Sequence, residues 1–364
     1  MNLTKEIAIK AISEFFTSNP NPLVIFGTGI SCSLDNKFGM GELKKELEAK
    51  IPAKILGKKE QENEWNKVLG ALKKGKDLES SLDFVLDEEL IRTIIGITGN
   101  LISNLDKQYM IEILNGTAVW PASDFIKKLV NGLPESDPTL SLITPNYDML
   151  AEYAFEKREI KYINGFSGSF IRRIDWDQSS KCIQHLEKIP YNKRFKNIKK
   201  IEKHIEIHKV HGSLNAFYYN DEVVEVNTWL HDPPVFAERV IITPGISKYK
   251  RISEFRTELL KNADQVVKKK DAFIFIGYGF NDKHIEQYLI PKITKQDCPC
   301  LVITRDNNER IEEILKKSKN LWLICKQESN DFTRIKNSAY TDWLYLDNKR
   351  LWNISEFTKE IIGD

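Results

Sequence analysis

The sequence predicts a doubly wound α/β sheet of Rossmann type, carrying a helical insertion and a second, smaller insertion. Three observations lead to it: short all-apolar runs that end in glycine or a polar turn, helical patterns between most of those runs, and a length of 364 residues. Alternating strands and helices build parallel sheets, and this length suits one enlarged domain or about two domains.

The elements follow in order. An amphipathic helix carrying Ile7, Ile9, Ala11, Ile12, Phe15 and Phe16 occupies residues 1–20 and is stopped by Asn21-Pro22. Leu23-Val24-Ile25-Phe26 is apolar throughout, the mark of a strand buried on both faces, and it ends in glycine. The same signal returns at Leu140 to Thr144, Ile205 to Val210, Val240 to Thr243, Ala272 to Ile276, Cys300 to Thr304 and Leu321 to Cys325. Residues 21–54 and 132–330 therefore read as the sheet domain, 55–131 as the helical insertion, 164–203 as the second insertion and 331–364 as a C-terminal tail. In the helical insertion Leu69, Leu82, Phe84, Val85, Ile91 and Ile97 exceed what one thin helical layer should bury, which predicts a homo-oligomeric or partner interface.

Composition excludes several function classes. With 41% hydrophobic and 29% charged residues the chain is not disordered, and a net charge of +2 gives no whole-protein pull toward nucleic acid or anionic membrane. A basic run, Lys193, Arg194, Lys196, Lys199, Lys200 and Lys203, reads as a solvated helix face, so direct nucleic-acid binding is not expected. Five cysteines without paired C-x-x-C spacing read as reduced thiols, and neither a targeting segment nor a membrane-length apolar window is seen, which together predict a cytoplasmic protein. His204, His208 and His211 tempt a zinc reading, but strand alternation sends His211 to the face opposite His208, and no metal site is expected.

Four loops stand at the carboxyl ends of predicted parallel strands, where open α/β sheets place their ligand crevice. Gly27-Thr28-Gly29-Ile30-Ser31 allows close backbone approach and offers helix-start N–H groups to a phosphate. It lacks the third glycine of the dehydrogenase fingerprint, since Cys32 stands there, and no acidic residue closes a second strand about 20 residues later. Thr144-Pro145-Asn146-Tyr147-Asp148 is either an ordinary Asx turn or an exposed strand-end site. Val210-His211-Gly212-Ser213 adds an imidazole, and Gly277-Tyr278-Gly279-Phe280-Asn281-Asp282 leads into a helix that Asn281 or Asp282 could cap.

Taken together, Gly27 to Ser31, Thr144 to Asp148, His211 to Ser213 and Gly277 to Ile285 resemble the sirtuin superfamily, specifically its bacterial sirtuin-like NADase branch. Corresponding sirtuin loops, Gly-Ala-Gly-x-Ser, Thr-x-Asn-x-Asp and His-Gly-Ser, enclose NAD. The resemblance implies that Gly27, Thr28, Gly29 and Ser31 hold the pyrophosphate and nearby ribose, with Gly277, Tyr278, Gly279, Asp282 and Thr304 on the cofactor side. It further implies that Asn146 binds the nicotinamide ribose or positions water, that Asp148 shapes the nicotinamide pocket, and that His211 is the base. Departures choose the reaction. Sirtuin deacylases carry a four-cysteine zinc module between His-Gly-Ser and the later Gly-rich loop, whereas no cysteine lies between Ser213 and Gly277. The sirtuin Gly-Ile-Pro-Asp-Phe-Arg stretch is replaced near Phe38-Gly39-Met40-Gly41-Glu42-Leu43 by a glycine-rich turn and helix.

Cleaving the N-glycosidic bond of NAD develops oxocarbenium character at the ribose carbon, and the nicotinamide ring, already cationic, leaves without an acid. An amide, a carboxylate and a histidine suffice to hold the ribose and orient one water. The resemblance thus implies an NAD glycohydrolase with NAD as substrate and no zinc, acting as a toxic antiphage effector. Its sensor would be a partner such as a HerA-type ATPase or an Argonaute-type protein. A deacylase or ADP-ribosyltransferase, and a non-catalytic NAD- or ADP-ribose-binding assembly subunit, are the competing expectations.

Overall fold

The computed structural model describes residues 3–191, 194–242 and 250–363. Helix α1 (Lys5–Ser18) opens on Thr4, whose hydroxyl accepts from Ile7 N–H, and buries Ala8, Ile12 and Phe15. It leads into β1 (Leu23–Phe26) and the one-turn α2 (Thr28–Cys32). Four helices follow: α3 (Met40–Ile55), α4 (Lys59–Lys73), the short α5 (Leu78–Leu82) and the long α6 (Glu88–Asn115), which ends at Gly116 in the left-handed conformation. Next come α7 (Ser123–Gly132), β2 (Thr139–Thr144), α8 (Leu150–Lys157), β3 (Tyr162–Ile163), β4 (Phe166–Gly168), β5 (Arg172–Ile174) and α9 (Trp176–Lys181). Six strands then follow, β6 (Gln184–Tyr191), β7 (Arg194–Ile201), β8 (His204–Lys209), β9 (Gly212–Tyr219), β10 (Glu222–Glu225) and β11 (Glu238–Ile241), with one 3-10 turn (Asn227–Trp229) between the last two. Alternation then resumes with α10 (Lys250–Lys269), β12 (Phe273–Ile276), α11 (Lys283–Thr294), β13 (Cys300–Ile303), α12 (Glu309–Lys317) and β14 (Leu321–Lys326). Two further strands, β15 (Thr333–Asn337) and β16 (Leu344–Leu346), and α13 (Ile354–Phe357) complete the described chain.

The main sheet has nine strands in the order β16-β15-β14-β13-β12-β1-β2-β8-β3, parallel from β14 to β3 and antiparallel at the β15–β16 edge. This is the doubly wound α/β class expected. Side chains alternate between two cores: Val24, Phe26, Ile274 and Ile276 face α1, α7, α8 and α13, while Leu23, Ile25, Phe273 and Phe275 face α10, α11 and α12. Each such side chain, when fully buried, stabilises the fold by about 1.5–3 kcal/mol. Because both faces are covered, the central strands read as unbroken apolar runs. Among the described residues no helix is long and apolar enough to cross a membrane.

Several expectations need correction. The run from Val240 is not in the main sheet. As β11 it pairs antiparallel with β9 in a second sheet, ordered β11-β9-β10-β5-β4, and Thr243 lies outside the described residues. A short apolar run carries no record of which sheet it joins. The basic run is not a helix face. Arg194, Lys196, Lys199 and Lys200 lie on β7, which pairs with β6 in a separate ribbon, and Lys193 is outside the described residues. Its alternation was masked because an exposed ribbon has no apolar face to reveal a period of two. Residues after Cys325 are not a tail, since β15 and β16 extend the sheet and α13 caps its core with Phe357.

Most of the apolar surplus of the helical region packs internally. Leu82, Val85, Ile91, Ile94, Ile95 and Ile97 are buried in a core shared by α3 to α6, into which Ile241 and Ile242 reach, while Leu69 is partly buried and Phe84 is exposed. That core draws in α3 from Met40, whereas α7 packs on the main sheet.

Candidate functional site

Strands β12, β1, β2 and β8 are consecutive neighbours in the sheet, and each of the four predicted loops leaves the carboxyl end of one of them. The chain winds outward in opposite directions from β1 and β12, so the loops meet at the switch point where such sheets hold ligands.

At that point the glycines pack backbone against backbone. Gly29 N–H donates to Gly277 O at 3.0 Å, and a Cβ on Gly27 would sit 2.2 Å from the same oxygen. Gly277 itself has φ +59°, and its Cβ would lie 2.7 Å from Gly29 C. The loop therefore differs from the open phosphate cradle expected, because the N–H of Gly29 is committed to Gly277 and that of Ile30 to Gly27 O at 3.2 Å. Thr28 stands at the first position of α2. Tyr278 turns its ring into the core against Phe275 and Phe280. Gly279 O accepts from Asn308 Nδ2 at 2.9 Å, and the Thr304 hydroxyl donates to Asp306 O at 3.2 Å, closing the turn after β13.

Ser31, Asn146 and Asp148 form one network. Asn146 Nδ2 donates to Gly27 O at 3.2 Å and to Ser31 Oγ at 3.0 Å, and Ser31 Oγ donates to Asp148 Oδ2 at 2.8 Å. All three are buried, so Asn146 is not the exposed strand-end amide anticipated. Its carbonyl oxygen Oδ1 is buried without a partner, and an unsatisfied buried acceptor of this kind marks a place for a donor. The three line a cavity of about 10 Å³, room for about one water, together with Glu152, Lys209 and the ring of Trp120.

Burial pushes the Asp148 carboxyl up to about 6, opposed by the Lys209 ammonium and the Ser31 hydroxyl and reinforced by Asp106 and Glu152. This folded value lies above the ordinary 3.8, so the native state binds the proton more tightly. The associated stability is complete below pH 3.8 and is lost as pH rises through about 6. Asp148→Asn is therefore expected to gain melting temperature relative to the native chain between pH 4 and pH 7, corresponding to roughly 2–3 kcal/mol. A difference that stays constant over that range would show the carboxylate ionised throughout.

His211 and Asp282 form the second assembly. His211 Nε2 lies 2.7 Å from Asp282 Oδ2, while Asp282 Oδ1 accepts from His284 N–H at 3.0 Å and Ile285 N–H at 3.4 Å at the start of α11. Burial raises the Asp282 carboxyl, but the His211 interaction and the two N–H donors outweigh it and hold the group below its ordinary value. Gly212 follows at φ +80°, where a Cβ would stand 2.3 Å from Val240 O, so the histidine's aim depends on a residue without a side chain. From the helical region α5 brings Glu79 close by. Burial raises its carboxyl, Asp282 raises it further, and His211 lowers it.

Three participants were not anticipated. Lys209 is buried, pairs with Glu152 Oε1 at 2.8 Å and donates to the backbone O of Asp148, joining the Asn146 loop to the His211 strand. The available signal was a lysine sharing strand parity with buried Ile205 and Ile207. Glu152 gave a similar one, a carboxylate among the apolar positions Leu150, Ala151 and Phe155 of α8. Glu79 gave none, because its approach depends on how the helices pack. Among the described residues no three His, Cys, Asp or Glu side chains cluster to hold a metal. The Cys32 thiol, pushed up to about 11 by burial, is no ready nucleophile.

A SIR2-like domain model matches residues 140–324, just over half of the chain, spanning the Asn146, His211 and Gly277 loops. The chain belongs to the SIR2-like family. Homologues in this family are NAD-dependent enzymes. Solved Sir2 structures align at low similarity. One, from work on the mechanism and regulation of Sir2 enzymes, has 11% identity and a TM-score of 0.37, covering 85% of this chain and 90% of that one. Another, a triple mutant of a Sir2 homologue with 2′-O-acetyl-ADP-ribose, has 14% identity and a TM-score of 0.38, covering 85% and 88%. No curated protein matches the sequence.

Proposed function

We propose that this SIR2-like chain is an NAD glycohydrolase, converting NAD and water to nicotinamide, ADP-ribose and a proton. The observation that carries the reading is the partnerless buried oxygen of Asn146 on the same sheet edge as the His211–Asp282 pair. Asn146 Oδ1 would accept from a hydroxyl of the nicotinamide ribose. Breaking the C1′–N1 bond sends its electron pair to the nicotinamide ring, which becomes neutral on leaving. Water forms the new C1′–O bond and gives its proton to His211, and the Asp282 carboxylate stabilises the imidazolium. Asp148, held by Ser31, shapes the wall of the small cavity.

Chromatography of NAD incubated with the protein in its activated state, assembled or partner-bound, tests the reading. Equal amounts of nicotinamide and ADP-ribose are expected, and recovery of intact NAD would favour a nucleotide-binding subunit. Chelators are expected to leave the rate unchanged, and elemental analysis to find less than stoichiometric zinc. A rate abolished by chelation and restored by zinc would contradict this. The toxic effector role in antiphage defence, with assembly or a partner sensor as trigger, is part of the same proposal and rests on the sirtuin-like NADase resemblance.

A further inference from the structure

The ribbon of β6 and β7 pairs with neither other sheet, and a two-stranded hairpin standing alone is marginal in water. Its two strands carry Lys188, Arg194, Lys196, Lys199 and Lys200 against one acid, Glu187. The register, with Leu186 opposite Lys199, Lys188 opposite Asn197 and Pro190 opposite Phe195, puts Lys188 and Lys199 on one face. Arg194, Lys196 and Lys200 fall on the other. Leu186 and Phe195 are 69% and 75% exposed. Lys200 reaches Glu135 at 3.5 Å and Glu187 at 3.8 Å, exposed pairs that neutralise little.

We propose that this ribbon is a binding arm for double-stranded nucleic acid. Cations on both faces suit a slot with anionic walls on both sides, and the duplex major groove admits a two-stranded ribbon between two rows of phosphates. A flat acidic protein surface would engage only one face. Pairing of the ribbon with a second copy is disfavoured by like charge along β7. The expectation of no nucleic-acid contact rested in part on a helix face, and the ribbon replaces that face with a local concentration of cations.

The test is fluorescence anisotropy of the full chain with a labelled duplex of about 24 base pairs, long enough for two helical turns. With about four phosphates neutralised, affinity should weaken roughly 100-fold between 50 and 200 mM salt. Lys188→Glu/Arg194→Glu/Lys199→Glu should lower affinity at least about tenfold and flatten the log–log salt slope by about 3, with the melting temperature unchanged. Arg194→Gln/Lys199→Gln, a gentler pair, should flatten it by about 2. Poly-L-glutamate at equal charge should not displace the duplex. Absence of duplex binding at 50 mM salt, binding indifferent to both variants, or equal displacement by poly-L-glutamate, which would indicate an acidic protein partner, overturns the proposal.

Discussion

Asn146→Ala is expected to reduce NAD cleavage more than about 100-fold, the scale seen when a positioning group is lost. The amide holds Gly27 O and Ser31 Oγ and leaves one oxygen for the substrate, so its removal frees the ribose and loosens the serine that holds Asp148. The same bonds set a second, smaller effect. Losing buried hydrogen bonds costs about 1–3 kcal/mol, so melting should fall by a few degrees while the fold persists. Paired measurements of turnover and melting separate the two, and wild-type turnover in a folded Asn146→Ala protein would remove the amide from the site.

His211→Ala is expected to cost a similar factor, more than about 100-fold, by removing the proton acceptor beside the ribose. Asp282→Asn should cost less, about tenfold, because the amide still caps α11 while losing the charge that stabilises the imidazolium. Since Asp282 acts through His211 at 2.7 Å, the double variant should be no slower than His211→Ala alone. Multiplying losses in the double variant would mean the two residues act independently, and the pairing would be structural only.

The legible parts of this molecule were those that obey a local rule. The strands Leu23–Phe26, Phe273–Ile276 and Cys300–Ile303 announce burial on both faces, and the loops after them follow from the geometry of parallel sheets. Illegible parts depended on partners distant in sequence. Asp282 looked like a helix cap and is one, but its second oxygen meets His211, 71 residues earlier. Gly27 and Gly29 looked like a phosphate loop, yet their lack of side chains is used first by Gly277. The sirtuin resemblance puts Tyr278 on the cofactor side, and its ring packs in the core between Phe275 and Phe280, a contact the glycines beside it do not signal. The antiparallel sheet through β9 and β11 is illegible because buried Ser213 and Asn215 interrupt the apolar run of β9, and the short run of β11 does not say which sheet it joins.

The place of β12 beside β1 has a consequence for biosynthesis. Leu23 pairs with Phe273, so the first strand of the main sheet, which meets β2 earlier, waits for its other neighbour 250 residues further along, and Gly27 cannot be seated until Gly277 has been made. Such long-range closure is slow and comes late in folding. On the ribosome, where residues emerge at about 5–20 per second, the Gly27 and Gly277 loops would remain apart for roughly 12–50 s after Leu23 is made. The crevice proposed to hold NAD is therefore incomplete until Gly277 has been made, and a fragment cut short before Phe273 lacks its fourth loop.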